Sequence, residues 1–320
     1  MTAVLDLDGV TKVFDGVVAV DGLSLRVPEG TILGFLGPNG AGKTTTMRLV
    51  LDILRPESGR ITWRGAAITD AVRRRFGYLP EERGLYPKMK VGDQLLFFAR
   101  LYGMERPAAE RAIGAWLERF DIAERRQSRL EELSKGNQQK VQVLAALVHG
   151  PDLALLDEPF SGLDPVNTEH LTAALLELRD AGKTVVFSSH RLEQVEDLCE
   201  EVAIISHGSL RLAGNVDAIR DAATRRVIDL RVAGDAEPDV SDLPLETLEP
   251  GRGFGRYALR PGADPQAVLA TLVQRATPVE LFALERPSLQ EVFLEVTADE
   301  YGSGERVLAG PVGPDRGGAA

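Results

Sequence analysis

Apolar residues along the chain come in short runs, punctuated by glycine and proline, that alternate with stretches of helical period. Across residues 4–27 the runs are split by Gly9, Asp15-Gly16 and Asp21-Gly22, which predicts an antiparallel strand meander. Residues 32–36 (Ile-Leu-Gly-Phe-Leu) read as a buried strand, and 46–54 as a helix stopped by Pro56. Glu57-Ser58-Gly59 turns the chain into a hairpin strand over 60–65, and 76–80 form another short strand before a polar loop, 81–87. Val91, Leu95, Phe98 and Tyr102 then recur at helical spacing, as do Ile113, Trp116, Leu117 and Phe120, with Pro107 placed to start a second helix.

A further helix follows Leu133-Ser134, with Val141, Leu144, Ala145 and Val148 on one side, and ends at His149-Gly150-Pro151 with a basic last turn. Residues 153–156 are an apolar strand running into Asp157-Glu158. After the turn at 161–165, Leu171, Ala174, Leu175 and Leu178 share one helix face that closes at Gly182. Residues 184–190 are a buried strand with His190 at its carboxyl end. From about residue 222 the pattern changes. Strand-like alternation over 227–232 gives way to a Pro/Gly/acid-rich stretch up to Gly255, then a strand at 256–260. Asp264-Pro265 begins a helix, 279–284 form a strand, and Ser288-Leu289-Gln290-Glu291 is a capping box for a last helix over 289–296.

Length sharpens this into domains. A chain of 320 residues suits two. The reading is a first domain over 1–221, with a helical subdomain at about 88–150, an accessory α+β domain over 222–298, and an expected disordered tail over 299–320. No apolar run approaches the roughly 18 residues of a membrane span, and the N-terminus lacks a signal-peptide pattern. The net charge of −11 argues against nonspecific nucleic-acid binding, and Arg73-Arg74-Arg75 reads as a solvated helix face. The single cysteine, Cys199, suits a reducing compartment and lies on the apolar side of Leu192, Val195 and Leu198, so it reads as core.

Chemistry enters with Gly37-Pro38-Asn39-Gly40-Ala41-Gly42-Lys43-Thr44-Thr45, a glycine-rich loop between strand and helix. Its glycines let successive amides curl around a polyphosphate, Lys43 can reach the β- and γ-phosphates, and the Thr44 hydroxyl can take one Mg²⁺ position. The bland alternative is a surface turn. Asp157 fits a Mg²⁺ or Mg-water acceptor opposite Thr44, and Glu158 fits a base for the attacking water, a role worth about 10²–10⁴-fold. Acids also end strands by chance; beside a phosphate loop they gain meaning. Ser134 is placed as an N-cap, and with Gly136, Lys135 and free helix amides it can form a second anion site. His190, at a strand's carboxyl end, is a candidate γ-phosphate contact, although a lone histidine is usually structural. Phe14, beside the Asp15-Gly16 turn, has the shape to stack on adenine, though a Phe before a turn is more often core.

Taken together, residues 4 to about 220 resemble the ATP-binding subunit of ABC transporters. Residues 37–45 resemble the Walker A loop, 153–158 the Walker B strand with its catalytic glutamate, and 133–138 the family signature, normally LSGGQ. Residues 161–164 resemble the D-loop ending in Asp164, with His190 as the switch histidine and Phe14 as the adenine-stacking aromatic. Two positions depart from the pattern. Glu81 stands where most members have Gln, and Lys135 and Asn137 replace Gly and Gln in the signature. The 79–87 and 133–139 stretches, and the segment 285–293, resemble the ABC-2 type exporters of sodium, drug or antibiotic type.

The resemblance implies an α/β P-loop NTPase (ABC ATPase) domain with antiparallel β and helical subdomains, plus a small C-terminal α+β domain. It implies ATP and Mg²⁺ as ligands, with Thr44, Asp157 and Glu81 as metal-side oxygens and Lys43, Glu158 and His190 as catalytic groups. Two cassettes, as homodimer or heterodimer, would pack head to tail, each ATP held by residues 37–45 of one and by Ser134 and Gly136 of the other. Partners would be integral membrane permease subunits, reached near the Glu81 loop, with the chain cytoplasmic and peripheral on the inner face of the cell membrane. A soluble ABC-type ATPase acting on nucleic acid or ribosomes is the alternative, disfavoured by the acidic charge, the single cassette and the lack of a long coiled-coil insertion. A regulatory module without turnover is disfavoured by the intact Lys43, Asp157, Glu158 and His190 set.

Overall fold

The computed structural model describes residues 3–82, 84–222, 226–234, 238–260 and 262–297. The expected disordered tail at 299–320 lies outside the described residues. The chain opens with a long antiparallel hairpin, β1 (Ala3–Phe14) and β2 (Val17–Pro28). Gly9 and Gly22, expected to split this region, lie inside the strands at positive φ where the pairing register shifts, so they make bulges and not breaks. The central strand β3 (Ile32–Leu36) feeds helix α1 (Lys43–Val50). This helix ends short of Pro56, because Asp52 adopts left-handed φ and the amides of Ile53 and Leu54 fold back onto the Arg48 carbonyl. A hairpin, β4 (Ser58–Trp63) and β5 (Ala66–Ala67), completes a sheet ordered β2-β1-β4-β5.

Helix α2 (Asp70–Arg73) and strand β6 (Phe76–Leu79) follow. The arginine run beside them is more engaged than a solvated face: Arg73 pairs with Asp52 and Asp70, and Arg75 with Asp152. The helical stretch resolves into α3 (Val91–Leu101) and α4 (Arg106–Arg119), the second with proline in its first turn, then α5 (Lys135–Leu147). His149, expected as a basic last turn, is a neutral ring instead. It stacks on Tyr102 with centroids 3.8 Å apart, bonds the Phe76 carbonyl, and burial pushes its pKa down to about 4.

Strand β7 (Leu153–Leu156), helix α6 (Pro165–Asp180), strand β8 (Thr184–Ser188) and helix α7 (Leu192–Leu198) lead to β9 (Glu201–Ser206) and β10 (Ser209–Asn215). The main sheet is ordered β10-β9-β3-β8-β7-β6, parallel except for β10. Alternate residues of its strands face opposite ways. Leu33, Phe35, Leu153 and Leu155 pack with α1 and the β2-β1-β4-β5 sheet, whereas Ile32, Leu36, Leu156 and Phe187 pack with the helices. Both faces are covered, as an apolar parallel sheet requires. Cys199 is buried beside β3, where a Cβ on Gly34 would lie 3.2 Å from its sulfur, and burial pushes its thiol pKa well up.

Helix α8 (Val216–Ala222) precedes a third sheet: β11 (Arg226–Val232), β12 (Leu245–Glu249), β13 (Phe254–Leu259) and, after α9 (Pro265–Gln274), β14 (Val279–Glu285), ordered β12-β13-β11-β14. Strand β12 falls in the Pro/Gly/acid-rich stretch before Gly255; it is an edge strand in which only Leu245 is buried, so its sequence carries little apolar signal. The sheet has its own core around Ile228, Leu230, Tyr257, Val268 and Leu272. The last helix, α10 (Leu289–Val296), leaves that core. Its fully buried Leu289 joins the cluster holding Val195 and Leu198 of α7, with Phe293 and Val296 packed alongside. Glu196 of α7 accepts from the Leu289 amide at 3.0 Å and pairs with Arg220 of α8, which bonds the Pro287 carbonyl.

Candidate functional site

The adjacency of β3, β8 and β7 brings three carboxyl ends to one edge of the main sheet, where ligands collect in open α/β folds. From β3 comes the glycine-rich loop. Gly42 ends it at φ +102°, and a Cβ there would stand 2.4 Å from the Ala19 carbonyl, so only glycine fits. The loop is braced from outside: the Gly208 amide donates to the Ala41 carbonyl, and the Asp21 amide to that of Gly208. No side chain caps the start of α1, which leaves its first amides available to an anion. Lys43 is nearly buried and folds back, its Nζ donating to the carbonyls of Gly37 at 2.6 Å and Pro38 at 3.0 Å. Burial lowers its pKa, opposed by the charges of Glu158, Asp157 and Glu81.

From β7 come the two acids. Asp157, 2% exposed, accepts from the Thr44 hydroxyl at 2.5 Å on one oxygen and from the Ser188 hydroxyl at 2.5 Å on the other. Ser188 in turn accepts from the Glu158 amide at 2.9 Å. Glu158 sits at φ +50°, a conformation costly for a side chain with a Cβ and one that persists only where the surroundings impose it. Its carboxylate takes a 2.8 Å bond from Nδ1 of His190, the nitrogen that must carry the proton since an ionised carboxylate only accepts. Burial raises the Glu158 pKa, and the charges of His190 and Lys43 oppose that rise.

These groups wall a cleft of about 310 Å³, lined by Asn39, Gly40 and residues 42–45 of the loop, by Glu81, Asp157 and Glu158, and by Ala19. The volume suits a small polyanion held by backbone amides, one ammonium and one hydroxyl. Other expected residues lie elsewhere. Phe14 is 41% exposed, with Nζ of Lys12 at 5.2 Å from its ring centroid, and is not in the cleft wall. Ser134 caps α5 through the Asn137 amide, and Gly136 neighbours the Gly162 carbonyl; neither lines the cleft. Asp164 caps α6 by accepting from both nitrogens of Asn167, which lower its pKa. Ser188 carries no motif signal in the sequence, only a hydroxyl at the end of a largely apolar strand two places before His190.

Known proteins share this sequence and fold. The family model described as ABC transporter matches residues 20–161, and one described as ATP-binding protein DrrA1-3-like, C-terminal domain, matches 214–297. The ABC transporter ATP-binding protein YhaQ of Bacillus subtilis is 42% identical over 305 residues, covering 93% of this chain and 99% of that protein. The daunorubicin resistance ATP-binding protein DrrA3 of Streptomyces coeruleorubidus is 33% identical over 307 residues, covering 92% and 96%. Among solved structures, an ATP-binding subunit of an ABC transporter superposes with a TM-score of 0.65 at 29% identity, over 68% of this chain and 92% of that one.

Proposed function

Because the chain belongs to the ABC transporter ATP-binding proteins and is the ATP-hydrolysing subunit of such a transporter, we propose that it drives export through a separate membrane permease. The translocation path is assigned to another chain because the relatives matched over nearly their whole length are ATP-binding proteins; among the described residues no helix is long and apolar enough to cross a membrane. The export direction rests on the DrrA-like C-terminal match and on the daunorubicin-resistance relative. Tyr86, Phe97 and Leu101 are exposed apolar side chains beside the Glu81 loop, Tyr86 and Phe97 in ring contact, and supply a surface for the permease at the inner face of the membrane.

The observation that carries the catalytic reading is that one buried hydroxyl, Ser188, holds both the Asp157 carboxylate and the Glu158 backbone opposite the phosphate loop. Lys43 exchanges the Gly37 and Pro38 carbonyls for the β- and γ-phosphate oxygens. Glu158 orients the attacking water and takes its proton as oxygen adds to the γ-phosphorus and the bond to the β-bridging oxygen breaks, giving ADP and phosphate. His190 holds the Glu158 carboxylate from outside the cleft wall and is assigned to the γ-phosphate side. The Thr44 hydroxyl and the Asp157 carboxylate make a hard-oxygen pair that fits Mg²⁺, with Glu81 as a further oxygen toward it or its waters. Mg²⁺ there supplies charge neutralisation on the phosphates. Since Ser134 and Gly136 stand outside the cleft wall, a second cassette packed head to tail brings its own pair to the nucleotide. Phe14 is assigned to the adenine end, and Asp164 to the facing D-loops.

Glu158→Gln tests the assignment: steady-state ATP hydrolysis is expected to fall at least about tenfold while ATP still binds. Hydrolysis near the wild-type rate would overturn the base assignment. Capture of the tagged chain from detergent-solubilised membranes tests the partner, with a stoichiometric polytopic membrane protein as the expected companion.

A further inference from the structure

Two buried glutamines outside the cleft grip the loop that carries Glu81. Gln142, on α5, is 3% exposed and its Nε2 donates to the carbonyls of Pro80 at 2.8 Å and Glu82 at 3.1 Å, the residues on either side of Glu81. Gln94, on α3, is fully buried and its Oε1 accepts from the Tyr86 amide at 2.6 Å at the far end of the same loop. Each amide spends only half of itself. Among the described residues, Oε1 of Gln142 and Nε2 of Gln94 are buried without a partner. Burying an unsatisfied amide half is unfavourable and offsets part of what the loop bonds contribute, so these side chains are costly ways to fill the space. What the glutamines provide that leucine cannot is a fixed place for the loop backbone, and hence for the Glu81 carboxylate in the cleft wall beside Asp157 and Glu158.

The position of Gln142 on its helix adds a direction. Helix α5 is capped by Ser134, and Gln142 lies eight residues on, about 12 Å along the axis at 1.5 Å per residue. A helix of this length is a stiff element that can carry a shift imposed at Ser134 toward the carbonyls of Pro80 and Glu82. We propose that Gln142 is a positioning residue for ATP hydrolysis: it ties the Glu81 loop to α5, so that engagement of the Ser134 end of that helix by a second cassette sets the place of the Glu81 carboxylate at the nucleotide. Gln94 anchors the loop's other end to α3. This rests on the head-to-tail reading of Ser134 and on the assignment of the cleft to ATP.

The test is a double-mutant cycle in steady-state ATP hydrolysis by the full chain, with Gln142→Leu, Glu81→Ala and the pair. Gln142→Leu is expected to lower kcat about three- to tenfold and to change KM for ATP less than twofold, with the chain still folded at the assay temperature. In the Glu81→Ala background the same substitution is expected to change kcat less than twofold, because the group it positions is gone. Equal losses in both backgrounds, or no loss in either, would overturn the proposal. So would a kcat loss accounted for by the fraction of chain unfolded at the assay temperature. Gln94→Leu is the second variant, read in the same way against Glu81→Ala. Glu158→Gln run in parallel separates the two layers: wild-type hydrolysis in that variant sinks the cleft assignment, whereas additivity in the cycle sinks only the role of Gln142.

Discussion

Ser188 is uncharged and belongs to no recognised motif, yet both acids depend on it. Removing its hydroxyl leaves a buried Asp157 oxygen short of a donor and the Glu158 amide short of an acceptor. Ser188→Ala is expected to cost about 1–3 kcal/mol in denaturant unfolding and to lower the rate of ATP hydrolysis, a pair of measurements on one variant. His149 gives a second prediction. Its folded pKa of about 4 lies below the ordinary 6.5, so the neutral ring stabilises the fold fully above pH 6.5, and that contribution is lost as pH falls toward 4. In His149→Gln the drop in stability between those limits is expected to shrink by on the order of 3 kcal/mol, read from unfolding curves across pH. At this scale the sequence was legible wherever chemistry needs several residues at fixed spacing. Lys43, Thr44, Asp157, Glu158 and Glu81 all reach the cleft wall. Ser188, Gln94 and Gln142 were not legible, because a single polar residue in an apolar run has the same letter whether it faces water or a carbonyl across the sheet.

Elements were legible where capping and period agree. Ser288 shows both bonds of its capping box, its hydroxyl accepting from the Glu291 amide and its own amide donating to the Glu291 carboxylate. Ser288→Ala is expected to destabilise the chain by about 1 kcal/mol, measured by denaturant unfolding, with ATP binding unchanged. Glycine was the less reliable guide. Gly9 and Gly22 carry the same signal as Asp15-Gly16, but only the last turns the chain; at the other two a neighbouring strand keeps pairing across the bulge. Proline misled in the other direction at α1, where left-handed Asp52 ends the helix before Pro56 is reached. Strand β12 shows the limit of periodicity, since an edge strand with one buried side chain has almost no pattern to read.

At the scale of the molecule, the third sheet keeps its own core but lends its last helix to the ATPase body. Leu289→Ala opens a cavity beneath α7 and is expected to cost about 2–5 kcal/mol, with the first loss at the α7 segment that follows His190. Hydrogen exchange of the α7 amides checks the location, and a uniform loss of protection over the whole chain would contradict it. The buried thiol supplies a simpler gauge. Cys199 is the only cysteine in the chain, it closes α7, and it lies against the central strand under the same cluster that Leu289 completes. A thiol reagent is therefore expected to meet a silent protein until the end of α7 lifts from β3, and labelling then counts each opening as it occurs. The chain carries its own stopwatch for the packing of α7 on the central strand, and a dye placed on an added surface cysteine needs no prior removal of the native one.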